Sequence, residues 1–290
     1  MTPCFAIDDI TTPKGYSLRG LWFGPKKPRR LIIWVHGLSS STFSMLHVVR
    51  ELADGKTAVL TFNNRGAEKI IDVRKEGKKA KSLRAGSAHE VFTECVDDIQ
   101  GAINFARKNG VKKIYLAGHS TGCQKSIYWA YVKKGIGIKG IILLAPVSDY
   151  AGALAKYGKN KLEKAAAYAR RLVKRGKPDE LLPRSVWSEE LNDAQRFLSL
   201  YTPDSIEEIF SYAQPKKNPR VFKSVSTPIL AMLAAEDEFA DRPAPELAAW
   251  FEKHSRSKRF KSAVIPAVHH GFKGAERKVA KIIKEFIVIE

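Results

Sequence analysis

The sequence has little that would indicate a secreted, disulfide-bonded or membrane-spanning protein. Its three cysteines, Cys4, Cys95 and Cys123, are an odd number at wide spacings, which suits neither a disulfide framework nor a metal site. No apolar run approaches the roughly 20 residues that cross a bilayer. The first nine residues lack the basic-then-apolar order of a signal peptide. We therefore expect a soluble, cytoplasmic protein with reduced cysteines, and no metal or cofactor.

Acidic residues are also scarce, because 30 Asp and Glu stand against 50 Lys and Arg, which gives a net charge of +20. The basic residues are scattered through residues 69–84, 156–177 and 253–261, with acidic residues among or beside them. No arginine-rich block interleaved with aromatics and no nucleic-acid motif occurs. This pattern favours a solvated basic surface over a specific nucleic-acid interface. The alternatives are a surface that guides an anionic small molecule and a nucleic-acid-binding face that acts through its charge.

What the sequence does contain is a regular alternation of two patterns. Short apolar runs rich in β-branched residues alternate with longer segments of helical spacing, which is typical of a parallel sheet covered on both faces. The pattern predicts a doubly wound, mostly parallel α/β domain. The predicted strands are residues 31–35, 58–62, 113–117, 140–144, 228–233 and 262–265. The predicted helices are residues 43–53, 90–108, 120–134, 245–254 and 275–287. An antiparallel edge formed by residues 4–7 and 17–24 precedes them.

Two segments interrupt this alternation. Residues 150–225 contain no convincing strand, and within them residues 162–173 and 206–212 have helical spacing between several prolines. Because this stretch leaves the sheet at a carboxyl edge, where ligands bind in open α/β sheets, we expect a helical cap. The core would then be residues 1–149 and 226–290. The second segment, residues 68–89, is predicted to be an irregular loop that carries the first basic cluster.

A candidate nucleophile lies between a predicted strand and a predicted helix. Residues 118–122, Gly-His-Ser-Thr-Gly, match the pattern G-x-S-x-G. A serine at such a turn has strained backbone and an exposed hydroxyl, and the flanking glycines let neighbouring elements pack closely. The position predicts that Ser120 acts as a nucleophile.

A serine hydroxyl needs a base to accept its proton, so a histidine must come from elsewhere in the fold. Of the seven histidines, His269 and His270 follow the last predicted strand and precede the last helix. We choose His270, because it stands at the junction between loop and helix, and keep His269 as the alternative. The other five are interpreted as structural or solvated.

The third group should be a carboxylate that holds the imidazole in the correct tautomer. The loop after the predicted strand 228–233 contains Glu236, Asp237 and Asp241. We choose Asp237, with Glu236 and Asp241 as alternatives. Asp149, which follows the earlier strand 140–144, is a further alternative acid.

Ester or amide cleavage also requires donors for the oxyanion that forms on the attacked carbonyl. The backbone amide of Thr121 follows the nucleophile at the start of its helix, where the helix dipole favours negative charge. The second donor is expected in residues 36–39, after the first central strand, and the amide of Leu38 is our choice. The alternative for this loop is a plain turn with no catalytic part.

Through these candidate residues and the alternation of strands and helices, the chain resembles the α/β-hydrolase superfamily over nearly its full length. Three segments are similar to one little-characterised family that includes fungal esterases opening ester-linked siderophores. They are Gly-His-Ser-Thr-Gly-Cys-Gln at residues 118–124, Ala-Pro-Val-Ser-Asp at residues 145–149 and Arg-Phe-Leu-Ser-Leu at residues 196–200. The resemblance implies a triad of Ser120, Asp237 and His270. Ala235 is a departure, since many members of the superfamily have glycine two residues before the acid.

The resemblance and the residues together predict a serine hydrolase that cleaves carboxylic esters through an acyl-enzyme on Ser120. Lactones and thioesters are alternative substrates, because they pass through a similar tetrahedral intermediate. A second hypothesis is a ligand-binding protein that has kept the hydrolase fold. The expected partner is a small ester, and the positive charge of the protein is compatible with an anionic ester. The sequence carries no signal for the number of subunits.

Overall fold

The protein has a central sheet of eight strands, with helices on both of its faces. The computed structural model describes residues 2–77 and 81–288. The strands of this sheet are β1 (Cys4–Thr11), β2 (Ser17–Phe23), β3 (Arg30–Val35), β4 (Thr57–Phe62), β7 (Lys113–His119), β8 (Gly140–Leu144), β9 (Ile229–Ala234) and β10 (Phe260–Ile265). Two further strands, β5 (Ile71–Val73) and β6 (Leu83–Ala85), form a separate hairpin.

The strands lie in the order β1-β2-β4-β3-β7-β8-β9-β10. The pairs β1–β2 and β2–β4 are antiparallel, and the other neighbours are parallel. The predicted antiparallel edge and the largely parallel sheet are therefore confirmed.

Nine α-helices lie in the described residues, besides one 3₁₀ helix at Phe92–Glu94. They are α1 (Leu46–Leu52), α2 (Cys95–Lys108), α3 (Thr121–Val132), α4 (Asp149–Tyr157), α5 (Lys159–Lys174), α6 (Ala194–Tyr201), α7 (Arg220–Lys223), α8 (Ala244–His254) and α9 (Glu276–Val288). None of these helices is long and apolar enough to cross a membrane.

The core strands form because their side chains are buried on both faces of the sheet. Along β3, alternate residues enter opposite hydrophobic clusters: Leu31, Ile33 and Val35 pack with α2, α3 and α8, whereas Ile32 and Trp34 pack with α1 and α9. Every residue of β4 and β9 is buried in the same way. Such strands appear in the sequence as continuous apolar runs, which is why their positions were predictable.

Residues 150–225, which we call the insertion, lie between β8 and β9. They contain all of α5, α6 and α7 and all but the first residue of α4, and none of these residues belongs to a named strand. A separate hydrophobic cluster holds α4, α5 and α6 together, with Trp187, Phe197 and Tyr201 in contact at its centre. The insertion therefore has a core of its own.

The structure differs from the sequence predictions at three places in the irregular segments. Residues 206–212 do not form a helix, because Ile209 and Phe210 pack into the main core while Glu207 and Glu208 pair with buried polar groups, so the segment is buried on several sides. The helices α4 and α6 were not predicted. Residues 68–89 are not wholly irregular, since β5 and β6 pair there, and residues 78–80 of the predicted basic loop lie outside the described residues.

The close contact between α3 and β3 generates a stability prediction for Gly122. A Cβ on residue 122 would lie 2.1 Å from the carbonyl oxygen of Val35, which is backbone and cannot move aside. We expect Gly122→Ala to lower the free energy of unfolding by about 3 kcal/mol, as forced overpacking does. Urea denaturation measures the change.

Gly55→Ala is the matched control, because no atom lies within 4 Å of a Cβ built there. Its unfolding free energy should stay within about 0.5 kcal/mol of the wild-type value. Equal stability of the two variants would contradict the steric argument.

Candidate active site

Ser120 occupies a one-residue turn between β7 and α3. Its backbone has φ 54° and ψ −128°, a conformation that residues other than glycine rarely adopt. Two hydrogen bonds hold this strained backbone: its N–H donates to Leu144 (3.0 Å), and its carbonyl accepts from the N–H of Cys123 (2.8 Å). Strain of this kind persists only where the surrounding structure enforces it and is concentrated at functional sites.

Glycines allow the neighbouring chain to approach this turn closely. A Cβ on Gly118 would lie 2.3 Å from the carbonyl oxygen of Gly122, and one on Gly37 would lie 2.9 Å from the Cβ of Ser120. The loop after β3, which contains Gly37, therefore passes directly beside the serine. The flanking glycines predicted from G-x-S-x-G have the steric role expected of them.

His270 and Asp237 are brought together from the loops after β10 and β9. The imidazole Nδ1 lies 2.9 Å from both carboxylate oxygens of Asp237. A carboxylate only accepts, so Nδ1 carries the proton and Nε2 is left as the basic nitrogen. The backbone N–H of His270 donates to Glu238, and the ring of Phe239 packs edge-on against the imidazole.

Two other histidines fix the backbone of the His270 loop. His119 donates from Nε2 to the carbonyl of His270 (3.0 Å), and the ring centroids of the two histidines are 4.8 Å apart. His47 donates from Nε2 to the carbonyl of Gly271 (2.8 Å). Since His119 precedes Ser120, these contacts bring the His270 loop against the serine turn. Among the described residues the structure shows no hydrogen bond between Ser120 Oγ and His270.

Burial keeps His119 and His36 neutral. It lowers the pKa of His119 to about 3, with the neighbouring His270 as the second cause. It also lowers the pKa of His36 to about 4, assisted by the positive charge of Lys125. The Nδ1 of His36 donates to the carbonyl of Gly37 (2.9 Å), which orders the loop beside Ser120.

The alternative residues from the sequence lie elsewhere. The side chain of His269 is 71% exposed, and its Nδ1 bonds the backbone carbonyl of Glu236. The carboxylate of Glu236 is more than half exposed, and that of Asp241 pairs with Arg242 at 2.8 Å. The geometry therefore favours His270 and Asp237 over the neighbours considered with them.

The two predicted oxyanion donors flank the same turn. Thr121 is the first residue of α3, and Leu38 follows Gly37 in the loop after β3. The side chain of Leu38 packs against the hydrophobic cluster of the insertion, as does that of Tyr150. The roles of the two amides stay a prediction.

Buried carboxyl groups, among them Asp149 and Glu208, lie close to the first turn of α3 and the residues before α4. Sequence patterns did not predict them as a group. Gln124, one turn into α3, donates to Asp149 Oδ2 at 3.1 Å, so Asp149 is bound to α3 rather than to a histidine. Burial, followed by the charge of Glu207, raises the pKa of Asp149 to about 8. Burial also raises the pKa of Glu208 to about 7, while Ser148 donates a hydrogen bond to it. Asp149 is therefore largely protonated at neutral pH.

Comparison with solved structures identifies the fold. The siderophore hydrolase EstB of Aspergillus fumigatus has a TM-score of 0.66 at 17% identity, over 99% of this chain and 97% of that one. A Pyrococcus furiosus esterase gives 0.61 at 18% identity over 99% and 91%. Est1E of Butyrivibrio proteoclasticus, bound to ferulic acid, gives 0.58 at 20% over 99% and 95%. The protein has the α/β-hydrolase fold, which confirms the resemblance.

The family follows from the sequence itself. Residues 85–288 match the family described as "Protein of unknown function (DUF1749)", and the chain belongs to this family. No curated protein sequence matches it.

The raised pKa of Asp149 generates a prediction for stability against pH. Between about pH 4 and pH 8 the folded protein holds a proton that the unfolded chain has lost, so this carboxyl lowers stability as pH rises. Asp149→Asn removes the titration and can still accept from Gln124. We expect the difference in unfolding free energy, Asp149→Asn minus wild type, to increase steadily from pH 4 to pH 8.

Urea denaturation across this pH range measures the difference. Asp204→Asn is the control, since the side chain of Asp204 is 74% exposed. Parallel pH curves for wild type and Asp149→Asn would show that Asp149 does not hold the proton.

Proposed function

We propose that the protein is a serine hydrolase that cleaves carboxylic esters, with Ser120 as nucleophile, His270 as base and Asp237 as the group that orients the base. The observation that carries the proposal is the 2.9 Å contact of His270 Nδ1 with both oxygens of Asp237. In the neutral imidazole this contact places the lone pair on Nε2, in a loop that is held against the residue before Ser120.

In the first step, His270 Nε2 takes the proton of Ser120 as the serine oxygen attacks the ester carbonyl carbon. The carbonyl oxygen becomes an oxyanion. The amides of Thr121 and Leu38 would stabilise it, each by about 3 kcal/mol, assisted by the N-terminal end of α3. The paired carboxylate of Asp237 stabilises the imidazolium that forms.

In the second half of the reaction, His270 gives its proton to the departing alcohol, and an acyl-enzyme on Ser120 remains. Water then loses a proton to His270 and attacks the acyl carbonyl. Collapse of this second intermediate returns the proton to Ser120 and releases the carboxylic acid. Lactones and thioesters fit the same sequence of steps.

Apolar groups near the candidate site support an ester with an apolar part. The ring of Phe239 packs against His270 and is still half-exposed, so one of its faces is available for contact with a substrate. Leu38 and Tyr150 are partly buried and join the insertion's cluster. We propose that the insertion acts as a cap whose side chains form the substrate wall. The net charge of +20 would favour approach of an anionic ester.

A cytoplasmic location is part of the proposal. It is supported by the cysteines, which all lie in the described residues and are unpaired, with Cys95 and Cys123 buried.

Removal of the nucleophile is the direct test. We expect Ser120→Ala to reduce kcat for p-nitrophenyl acetate by at least about 10³-fold, because no acyl-enzyme can form. Circular dichroism should show an unchanged fold. Ser188→Ala, on an exposed side chain, serves as the control and should retain wild-type turnover. Wild-type turnover in Ser120→Ala would disprove the assignment.

The two adjacent histidines provide a matched pair of variants. His270→Ala removes the group bonded to Asp237 and should lower kcat/KM by at least about 10³-fold. His269→Ala removes an exposed ring and should change it less than about threefold. Equal losses in the two variants, or a larger loss for His269→Ala, would contradict the choice of base.

A further inference from the structure

Four charged side chains are buried where the insertion meets the core. Lys125 and Arg196 are 0% exposed, Glu207 is 3% exposed and Glu90 is 5% exposed. The mechanism above uses none of them. Burial of an unpaired charge is costly, so a group of four must be held by mutual pairing.

The four groups form a continuous row of ion pairs. Lys125 Nζ lies 2.5 Å from one oxygen of Glu90, and an Arg196 guanidinium nitrogen lies 2.8 Å from the other. A second nitrogen of Arg196 donates to Glu207 at 2.6 Å, and the hydroxyl of Ser199 donates to the same oxygen. Two cations and two anions cancel, so the row carries no net charge.

The two cations of the row belong to different parts of the fold. Lys125 lies on α3, one helical turn after Thr121, whereas Arg196 lies on α6 in the insertion. Glu90 joins them from the segment before α2. Its carboxylate lies over Gly66, where a Cβ would be 2.2 Å from the oxygen. The row therefore links the helix that carries the nucleophile to the insertion.

Ion pairs of this kind determine position more than they add stability. Replacing a whole buried ionic group with apolar residues is often neutral or stabilising, whereas removing one partner leaves an uncompensated charge. Hydrophobic contact is non-directional, and the insertion already has a separate hydrophobic cluster. That cluster supplies no directional contact between the insertion and the core, whereas the ion pairs of Arg196 do.

We propose that Arg196 is a positioning residue that holds the insertion in register on α3, so that the substrate wall near Leu38 and Tyr150 stands correctly over Ser120. The effect on catalysis rests on the proposed ester hydrolysis, and the structural part does not. Loss of the guanidinium should therefore affect esters that reach the insertion and spare those too small to do so.

The experiment compares Arg196→Met and Arg196→Lys with Arg170→Met. Arg170 also lies in the insertion and pairs with Asp204, but at 3.5 Å and with both side chains more than half exposed. Each protein is assayed with p-nitrophenyl acetate and p-nitrophenyl octanoate, together with its thermal unfolding midpoint.

We expect Arg196→Met to raise KM for the octanoate by at least about tenfold and to change kcat/KM for the acetate by less than about threefold, as a displaced binding wall would. Arg196→Lys should recover part of the loss, because an ammonium can pair with one carboxylate at a time. Arg170→Met should match the wild type with both esters. Equal losses on the two esters, or octanoate kinetics like those of Arg170→Met, would overturn the proposal.

Amide hydrogen exchange separates this inference from the proposed function. If the wild type cleaves no ester, the proposed function fails. Amide hydrogen exchange alone then tests whether Arg196 holds the insertion in position. Faster exchange in residues 194–201 of Arg196→Met than of Arg170→Met would support the link, and equal exchange would overturn it. Should Arg196→Met fail to fold, Glu207→Gln, which weakens one ion pair and keeps the shape of the side chain, takes its place in both measurements.

Discussion

The position of Ser120 depends on one steric constraint, which is that three backbone segments approach each other more closely than side chains permit. Gly118, Gly122 and Gly37 each lie within 3 Å of another residue's atoms at the place where a Cβ would stand. The chain can therefore pass from β7 to α3 through a single residue with positive φ. The loops after β3, β8, β9 and β10 reach this edge because parallel strands end there together. The pairing of His270 with Asp237 follows from that convergence.

Sequence patterns predicted the parts of the fold whose cause is local. The central strands are buried on both faces, so each appears as a short apolar run, and the order of serine, acid and histidine along the chain follows the order of the strands. The same local reasoning failed at residues 206–212, whose apolar spacing is typical of a helix. In the structure Phe210 packs in the main hydrophobic core, whereas Glu207 pairs with Arg196. The hairpin of β5 and β6 was missed because three-residue strands leave almost no pattern.

The buried ion pairs could not have been predicted in this way. Lys125 contacts Glu90 across 35 positions, and Arg196 contacts Glu90 across 106, so no periodicity links them. The family resemblance did contain one indication of a polar layer at this boundary. Its three segments contribute Gln124, Asp149 and Arg196, which all lie in the polar layer between α3 and the insertion. Two of these segments lie outside the proposed triad, and the structure shows that their polar residues face this boundary.

The separate hydrophobic cluster of the insertion has a consequence for how such a protein can change. Because Trp187 and Phe197 pack among residues of the insertion, side-chain exchanges inside this cluster leave the packing of the central sheet unchanged. Under the proposed function, preference for one ester over another can then diverge while the chemistry of bond cleavage stays the same. The buried charges at the boundary differ in this respect, because a change at one of them leaves its partner uncompensated.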